Sequence, residues 1–441
     1  MRITLLNFAP PEPDPRGAGI RWWHKSGARW PATIPDRKND GTEFFPYPFL
    51  LSYLKSLLEQ DAHQVVLLDG CLEKWTTDQA LAAVAATRPD YVVFETSEQT
   101  ELPDRLTVGR LGALAPVVLI GPNVSEDRDD LLDWEGVHAA VPGEYLLSTR
   151  DFFRTGGPGM QRRQEIIGTT AMDALPFAHR DPVTYPRYNA RFKTTPAGVQ
   201  GVFVSMWGCQ YRCNFCIWVH SWWSRSSQFQ KAFSIERLSA ELDRMQHDFP
   251  GITSFYDDCD NHDYRKPEAE RFAEMMGRRG LPWAILTRAD TFMTRGGEID
   301  RDMWRAYREA GLYAVKIGVE GGQAAMDATN KRLDENVVRE FVPFMQDLGI
   351  SVYSSFMLGI PNTDDEADHA TMRLIADLAD HRPDLFEYLI SYCDVTRVVP
   401  FTADTENRRR LHDGQLAIED LYAAQGLPGS VSTVAPNNFP L

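Results

Sequence analysis

The chain has no run approaching ~18 apolar residues, which argues against a membrane-spanning helix. Its opening, "MRITLLNFAPPEPDP", holds one short apolar stretch without a signal h-region, a cleavage site or an Arg-rich amphipathic segment, so a cytoplasmic location is expected. Net positive charge is also missing: 46 Lys and Arg against 62 Asp and Glu give −16 at pH 7. Repulsion of that sign opposes bulk binding to nucleic acid or an anionic membrane, and a small-molecule or peptide partner fits better. Cysteine is scarce, six in 441 residues, yet three of the six stand within positions 209–216. In a reducing cytosol such a cluster points to metal or redox chemistry rather than disulfides, and Cys71, Cys259 and Cys393 read as ordinary buried residues.

What is there is an ordinary globular composition, 43% apolar, and length for two or three domains. Across residues 1–150 short apolar runs alternate with helical patterns: strands at 2–8, 63–69, 90–96, 116–121 and 137–141, helices at 49–60, 77–87 and near 101–115. Continuous apolar strands at this spacing predict a doubly wound, Rossmann-like parallel sheet. The first connection, 9–48, is oversized and contains "IRWWHKSGARW", which either lines a pocket or packs the loop. Residues 151–196 are Pro-rich and patternless and read as a linker. From 197 to 398 six strand–helix repeats predict a partial (β/α)6 barrel, with Ser234 and Asp300 as N-caps and Gly280, Gly311 and Gly349 closing helices. A tail, 399–441, carries one predicted helix at 414–425.

The cysteines form Cys209-x3-Cys213-x2-Cys216 just after the barrel's first strand. Structural zinc takes four ligands, commonly from paired C-x2-C elements, and no second pair exists. A Cys3His zinc site completed by His220 stays open on spacing alone. Three thiolates also suit a [4Fe–4S] cluster with one iron left for chemistry.

C-x3-C-x2-C in this position, with Phe215 before the third cysteine, resembles the radical S-adenosylmethionine (SAM) superfamily. "IGVEGGQAAMDATNKR" (317–332), "FMLGIPNTDDE" (356–366) and "FYDDCDN" (255–261) are similar to its fourth-, fifth- and second-strand segments. The resemblance implies that the three cysteines hold the cluster, that SAM chelates the fourth iron, and that its cleavage gives a 5′-deoxyadenosyl radical. It places Phe215, Trp218, Arg288, Glu320, Ser355 and Met357 around the cofactors: Glu320 accepting from the ribose, Arg288 pairing with the SAM carboxylate unless Asp290 takes it, and Ser355 and Met357, with Ser354 the alternating neighbour, lining the pocket. Gly321 and Gly322 replace a Ser-Gly of the family pattern.

The first 150 residues resemble the vitamin B12-binding-type domain that precedes the barrel in many such enzymes. The axial signature Asp-x-His-x-x-Gly is not intact, since the nearest string is Asp61-Ala-His63-Gln-Val-Val, and cobalamin is allowed but not favoured. "FCIWVHSWW" and the domain order look most like the radical SAM diol-dehydratases of aminoglycoside pathways, apramycin's among them. That implies hydrogen abstraction from a carbinol carbon of an aminosugar, loss of the adjacent hydroxyl as water, an external one-electron donor and a downstream reductase as partners. Asp257, Asp258, Asp260 and His262, at a strand's carboxyl end, are the candidate base and cation-attracting set, against the bland reading of a polar βα turn. The alternative is a cobalamin-dependent C- or P-methyltransferase; a non-enzymatic, structural or redox-sensing cluster fits the ordered motifs less well.

Overall fold

The computed structural model describes residues 1–13, 20–25, 34–35, 44–97, 100–162, 169–216, 230–392 and 432–434. Trp218, His220, Cys393 and the predicted helix at 414–425 lie outside them. The chain forms two compact units, one drawn from Met1–Asp36, Phe44–Tyr188 and Ile217–Lys231, the other from Arg37–Glu43, Asn189–Cys216 and Ala232–Leu441.

In the first unit six strands, β1 (Arg2–Asn7), β2 (Gln64–Asp69), β3 (Tyr91–Glu95), β4 (Val117–Ile120), β5 (Val137–Ala140) and β6 (Gly159–Met160), make one parallel sheet. Helices α1 (Phe49–Gln60), α2 (Thr77–Thr87), α3 (Glu101–Gly112) and α4 (Tyr145–Thr155) provide the crossovers. β4 is buried at every position, as a strand covered on both faces must be, which is why its sequence is an unbroken apolar run. The strand order is β6-β5-β4-β3-β1-β2, so the chain reverses direction across the sheet between β1 and β3. In open α/β sheets the crevice outside the carboxyl ends at such a reversal is the ligand site.

Of the expected linker, 151–196, residues 151–162 and 169–188 fall in this first unit. α4 runs across the expected boundary because Tyr145, Leu146, Phe152 and Phe153 form a buried stripe. The following "TGGPG" is only the turn into β6. His63 precedes β2 at the sheet's amino edge, with its ring centroid 6.0 Å from that of Phe153, so it lies away from the carboxyl-edge crevice.

That crevice holds a residue of the long first connection. Lys25 is buried; its Nζ donates to the Glu95 carbonyl at the end of β3 (2.6 Å) and to both oxygens of Asp104 on α3 (3.1 and 3.0 Å). Asn7, at the end of β1, donates to the Lys25 carbonyl (3.4 Å). Asp104 also accepts from Thr100 Oγ1 (2.8 Å) and the Ser97 amide (3.3 Å). Trp23 packs with Ala9 and Cys71 beside it, so the described part of this aromatic segment serves packing.

The second unit lays β7 (Val199–Phe203), β8 (Ile252–Asp257), β9 (Trp283–Thr287), β10 (Leu312–Glu320), β11 (Ser351–Leu358), β12 (Phe386–Tyr392) and β13 (Ser432–Val434) side by side in chain order, all parallel. This is the strand succession of a partial β/α barrel, with a seventh strand supplied from within the predicted tail. Its helices are α5 (Ile235–Asp248), α6 (Lys266–Arg279), α7 (Arg301–Glu309), α8 (Gln323–Ala328), α9 (Glu335–Asp347) and α10 (Asp365–His381). Ser234 caps α5 by accepting from the Arg237 amide, and Asp300 caps α7 through the Met303 amide. Gly280 closes α6 with φ +66, the left-handed turn glycine adopts without a Cβ penalty. α8 is absent from the sequence-based reading because six residues carry too little periodicity to announce a helix. Among the described residues no helix is long and apolar enough to cross a membrane.

Replacing Lys25 alone leaves the Asp104 carboxylate buried without its cation. Lys25→Met is expected to cost about 3–5 kcal/mol in urea unfolding, while Lys25→Met with Asp104→Leu recovers most of it. Equal losses in the single and double variants would mean that packing, not charge pairing, holds the segment.

Candidate functional site

Strand register decides which predicted site residues meet. Val202 lies beside Tyr256, Tyr256 beside Ala284, Leu286 beside Lys316, Gly318 beside Ser355 and Met357 beside Ser391. With side chains alternating between faces, Tyr256, Lys316, Ser355 and Met357 share one face of the sheet, and Ser354 faces the other way. The ladder runs one residue past β8, from the Asp258 amide to the Phe203 carbonyl (2.8 Å), so Asp258 joins that shared face. Glu320 sits at a register irregularity with φ +73, and its carboxylate turns onto the same face: a Cβ on Gly318 would lie 2.6 Å from Glu320 Oε1.

Asp257 points the opposite way, so the expected acid–base set does not gather on one face. Its carboxylate accepts from the Ser205 amide (2.8 Å) and hydroxyl (2.5 Å) and lies 3.1 Å from His262 Nδ1. His262 Nε2 is 2.9 Å from the Tyr307 hydroxyl, and its ring is enclosed by Tyr264, Phe272, Phe292 and Tyr307. Burial raises the Tyr307 pKa well above its ordinary value, so the phenol keeps its proton and donates to Nε2 in the tautomer that carries its hydrogen on Nδ1. Ligand atoms of Asp257, Cys259 and His262 fall within 4.8 Å of one another, but Cys259 already donates to the Leu286 carbonyl. The trio is a satisfied core network. Asp260 has a third role: it accepts from the Gly208 amide (2.6 Å), fixing the backbone immediately before Cys209.

The thiol loop is fastened at its far side as well. The Asn214 amide donates to the Thr329 carbonyl (2.9 Å) and Asn330 Nδ2 to the Arg212 carbonyl (2.8 Å), tying the loop to the turn after α8. Cys216 closes a turn onto the Cys213 carbonyl (3.1 Å). Burial pushes the Cys209 thiol up to about 11 and Cys213 upward too, opposed by the Tyr211 amide beside Cys209 and by the cations of Lys331 and Arg288. Desolvated thiols with donors and cations aimed at their sulfurs fit thiolates held by a metal, where the metal takes the place of the proton. These two thiols, with that of Cys216 in the same loop, make the three protein ligands that a [4Fe–4S] cluster with one open iron would take.

Arg288 does not stand free for a carboxylate ligand. Nε and Nη2 clasp Asp290 (2.7 and 2.8 Å), Nη2 also donates to the Lys331 carbonyl (3.0 Å), and the guanidinium stacks 3.6 Å over the Tyr211 ring. It therefore holds Tyr211 of the thiol loop against the turn at 331. Glu320 is paired as well, through Lys331 Nζ at 2.8 Å. Ser355 and Met357 are half-buried on the shared face, and Phe215 lies with its ring centroid 6.0 Å from Lys331 Nζ. Three residues of this site had no place in the sequence reading: Lys331, Tyr211 and Lys316, whose ammonium lies 5.3 Å from the Tyr353 ring. Lys316 had a legible signal, an even spacing of four from Glu320 along a strand. Lys331 and Tyr211 lie in turns, where no period applies.

A family model described as the radical SAM superfamily matches residues 204–375. The anaerobic magnesium-protoporphyrin IX monomethyl ester cyclase of Rubrivivax gelatinosus is 26% identical over 179 residues, 38% of this chain and 29% of the relative. The match thus spans under a third of that curated relative's length. Among solved structures the chain is similar to the radical SAM methyltransferase TsrM from Kitasatospora setae with cobalamin and a [4Fe-4S] cluster bound (TM-score 0.61, 15% identity, 89% of this chain and 71% of that one). It is also similar to the apo form of OxsB, a cobalamin-dependent SAM radical enzyme (TM-score 0.59, 15% identity, 98% and 57%). At such identities the structural likeness is one of fold. The family match covers the thiol loop and strands β8 to β11.

His262→Phe removes the partner of both Asp257 and Tyr307 and is expected to lower unfolding stability by about 3 kcal/mol. Unchanged stability with lost turnover would instead return His262 to the reaction.

Proposed function

We propose that the chain is a radical SAM enzyme that methylates carbon or phosphorus of a small secondary metabolite, with cobalamin as methyl carrier. The observation that carries this reading is the order of parts, a switch-point parallel sheet followed by a partial barrel whose first strand runs into the thiol loop. The likeness to TsrM and OxsB, over 89% and 98% of this chain, includes both. Cys209, Cys213 and Cys216 would hold the cluster; with SAM and one electron from an external donor it supplies a carbon radical able to take hydrogen from an unactivated C–H bond. This chain's own residues position and exclude. Asp260, Thr329 and Asn330 fix the loop backbone, Arg288 anchors Tyr211 and the turn at 331, and Asp258, Lys316, Ser355 and Met357 offer the shared face to cofactor and substrate.

Cobalamin gains no axial imidazole from His63, which lies at the wrong edge of its sheet. Lys25 in the switch-point crevice favours a second reading, diol dehydration of an aminoglycoside sugar without cobalamin, in which Asp258 takes the hydroxyl proton.

Anaerobic reconstitution followed by titration with cobalamin separates the two. Stoichiometric cobalamin uptake and a SAM-dependent methylated product are expected. Formation of 5′-deoxyadenosine without cobalamin uptake would overturn methyl transfer in favour of dehydration, and absence of both products would overturn the radical reading itself.

A further inference from the structure

Lys331 is an unusual place for an ammonium. It is buried in the turn between α8 and α9, and several features of the chain exist to hold it there. Its Nζ donates to Glu320 Oε1 at 2.8 Å. Gly318 on β10 leaves the pair its room, since a Cβ there would lie 2.9 Å from the Lys331 ammonium and 2.6 Å from the Glu320 carboxylate and push these side-chain ends aside. Asn330 and Arg332, on either side, are non-glycine residues with φ of +51 and +53, a conformation that turns the intervening side chain inward at some strain. Glu320 itself has φ +73. The neighbouring backbone is bolted to the thiol loop: Thr329 accepts from the Asn214 amide, Asn330 donates to the Arg212 carbonyl, and the Lys331 carbonyl accepts from Arg288. The ammonium ends 6.0 Å from the ring centroid of Phe215, the residue before Cys216.

A buried ion pair is weak grounds for stability, because desolvation offsets most of the attraction. Three left-handed non-glycine positions around one pair, with Gly318 leaving it room, therefore point to a role for the charges themselves. In a low-dielectric site a fixed positive charge stabilises an added electron nearby and a fixed negative charge opposes it.

We propose that Lys331 and Glu320 are positioning residues that set the reduction potential of the cluster held by Cys209, Cys213 and Cys216, Lys331 raising it and Glu320 lowering it. The proposal rests on the reading of the three cysteines as cluster ligands. It is independent of whether the reaction is methylation or dehydration, since both begin with the same electron. Lys331 keeps the cluster reducible by a donor of modest strength, and Glu320 limits the effect so that the reduced cluster stays a strong reductant.

The test uses the full chain, reconstituted anaerobically with iron and sulfide, with iron content and an electron paramagnetic resonance potentiometric titration measured without SAM. Lys331→Gln, which keeps a hydrogen bond to Glu320, is expected to shift the midpoint to more negative values. Glu320→Gln is expected to shift it to more positive values. Lys331→Arg is expected to leave it near wild type, and the double Lys331→Gln, Glu320→Gln variant to return towards wild type. Shifts of the same sign in both single variants, or none in either while iron content is full, would overturn the proposal. If Lys331→Gln retains no iron, an unshifted potential in Glu320→Gln overturns it on its own. A wild-type protein that takes up no four-iron cluster would instead overturn the cysteine reading beneath it.

Discussion

Three thiols act as one ligand set only if the short loop carrying them cannot move, and this protein fixes that loop by its backbone. Asp260 holds the amide before Cys209, while Thr329 and Asn330 hold the amide and carbonyl flanking Cys213. The fastenings come from two strand-end connections, after β8 and after β10, so the thiol loop registers the positions of both strands as well as the strand it follows. The same fastenings bring Lys331 and Arg288 close to the sulfurs. Cluster chemistry and charge placement thus depend on one set of hydrogen bonds between connections whose positions the parallel sheet dictates.

That sheet also sorts the acids. "DDCDNH" packs three carboxylates and a histidine into six residues, and in sequence they look like one catalytic group. Strand alternation pulls them apart. Asp257 goes to the helix side, where Ser205 and His262 satisfy it; Asp258 goes to the shared face with Lys316, Ser355 and Met357; Asp260 turns back to the loop amide. Chemical type nominated four residues for one task, and geometry divided them among three.

The element pattern was legible because it rests on periodicity. β4, β9 and β10 are nearly continuous apolar runs, α5 and α7 carry capping Ser234 and Asp300, and both appear where spacing and caps require. The cysteine loop was legible because its residue type and spacing are rare. Less legible was anything decided by a partner distant in sequence. That Arg288 belongs to Asp290 and the turn at 331, that Glu320 belongs to Lys331, and that Lys25 reaches Asp104 are facts of tertiary placement, and no local pattern marks them. The helix α4 was hidden for a different reason. Its apolar stripe is followed at once by a Gly-Gly-Pro turn, and the turn's composition outweighed the stripe.

Both units place polar groups at the carboxyl ends of parallel strands, and they use the position differently. In the first, Lys25 from the long connection enters the crevice between β1 and β3 and is neutralised there by Asp104, with the hydroxyl of Thr100 and the amide of Ser97 completing the carboxylate's shell. In the second unit the Glu320–Lys331 pair sits among left-handed backbone at Glu320, Asn330 and Arg332, beside the thiol loop.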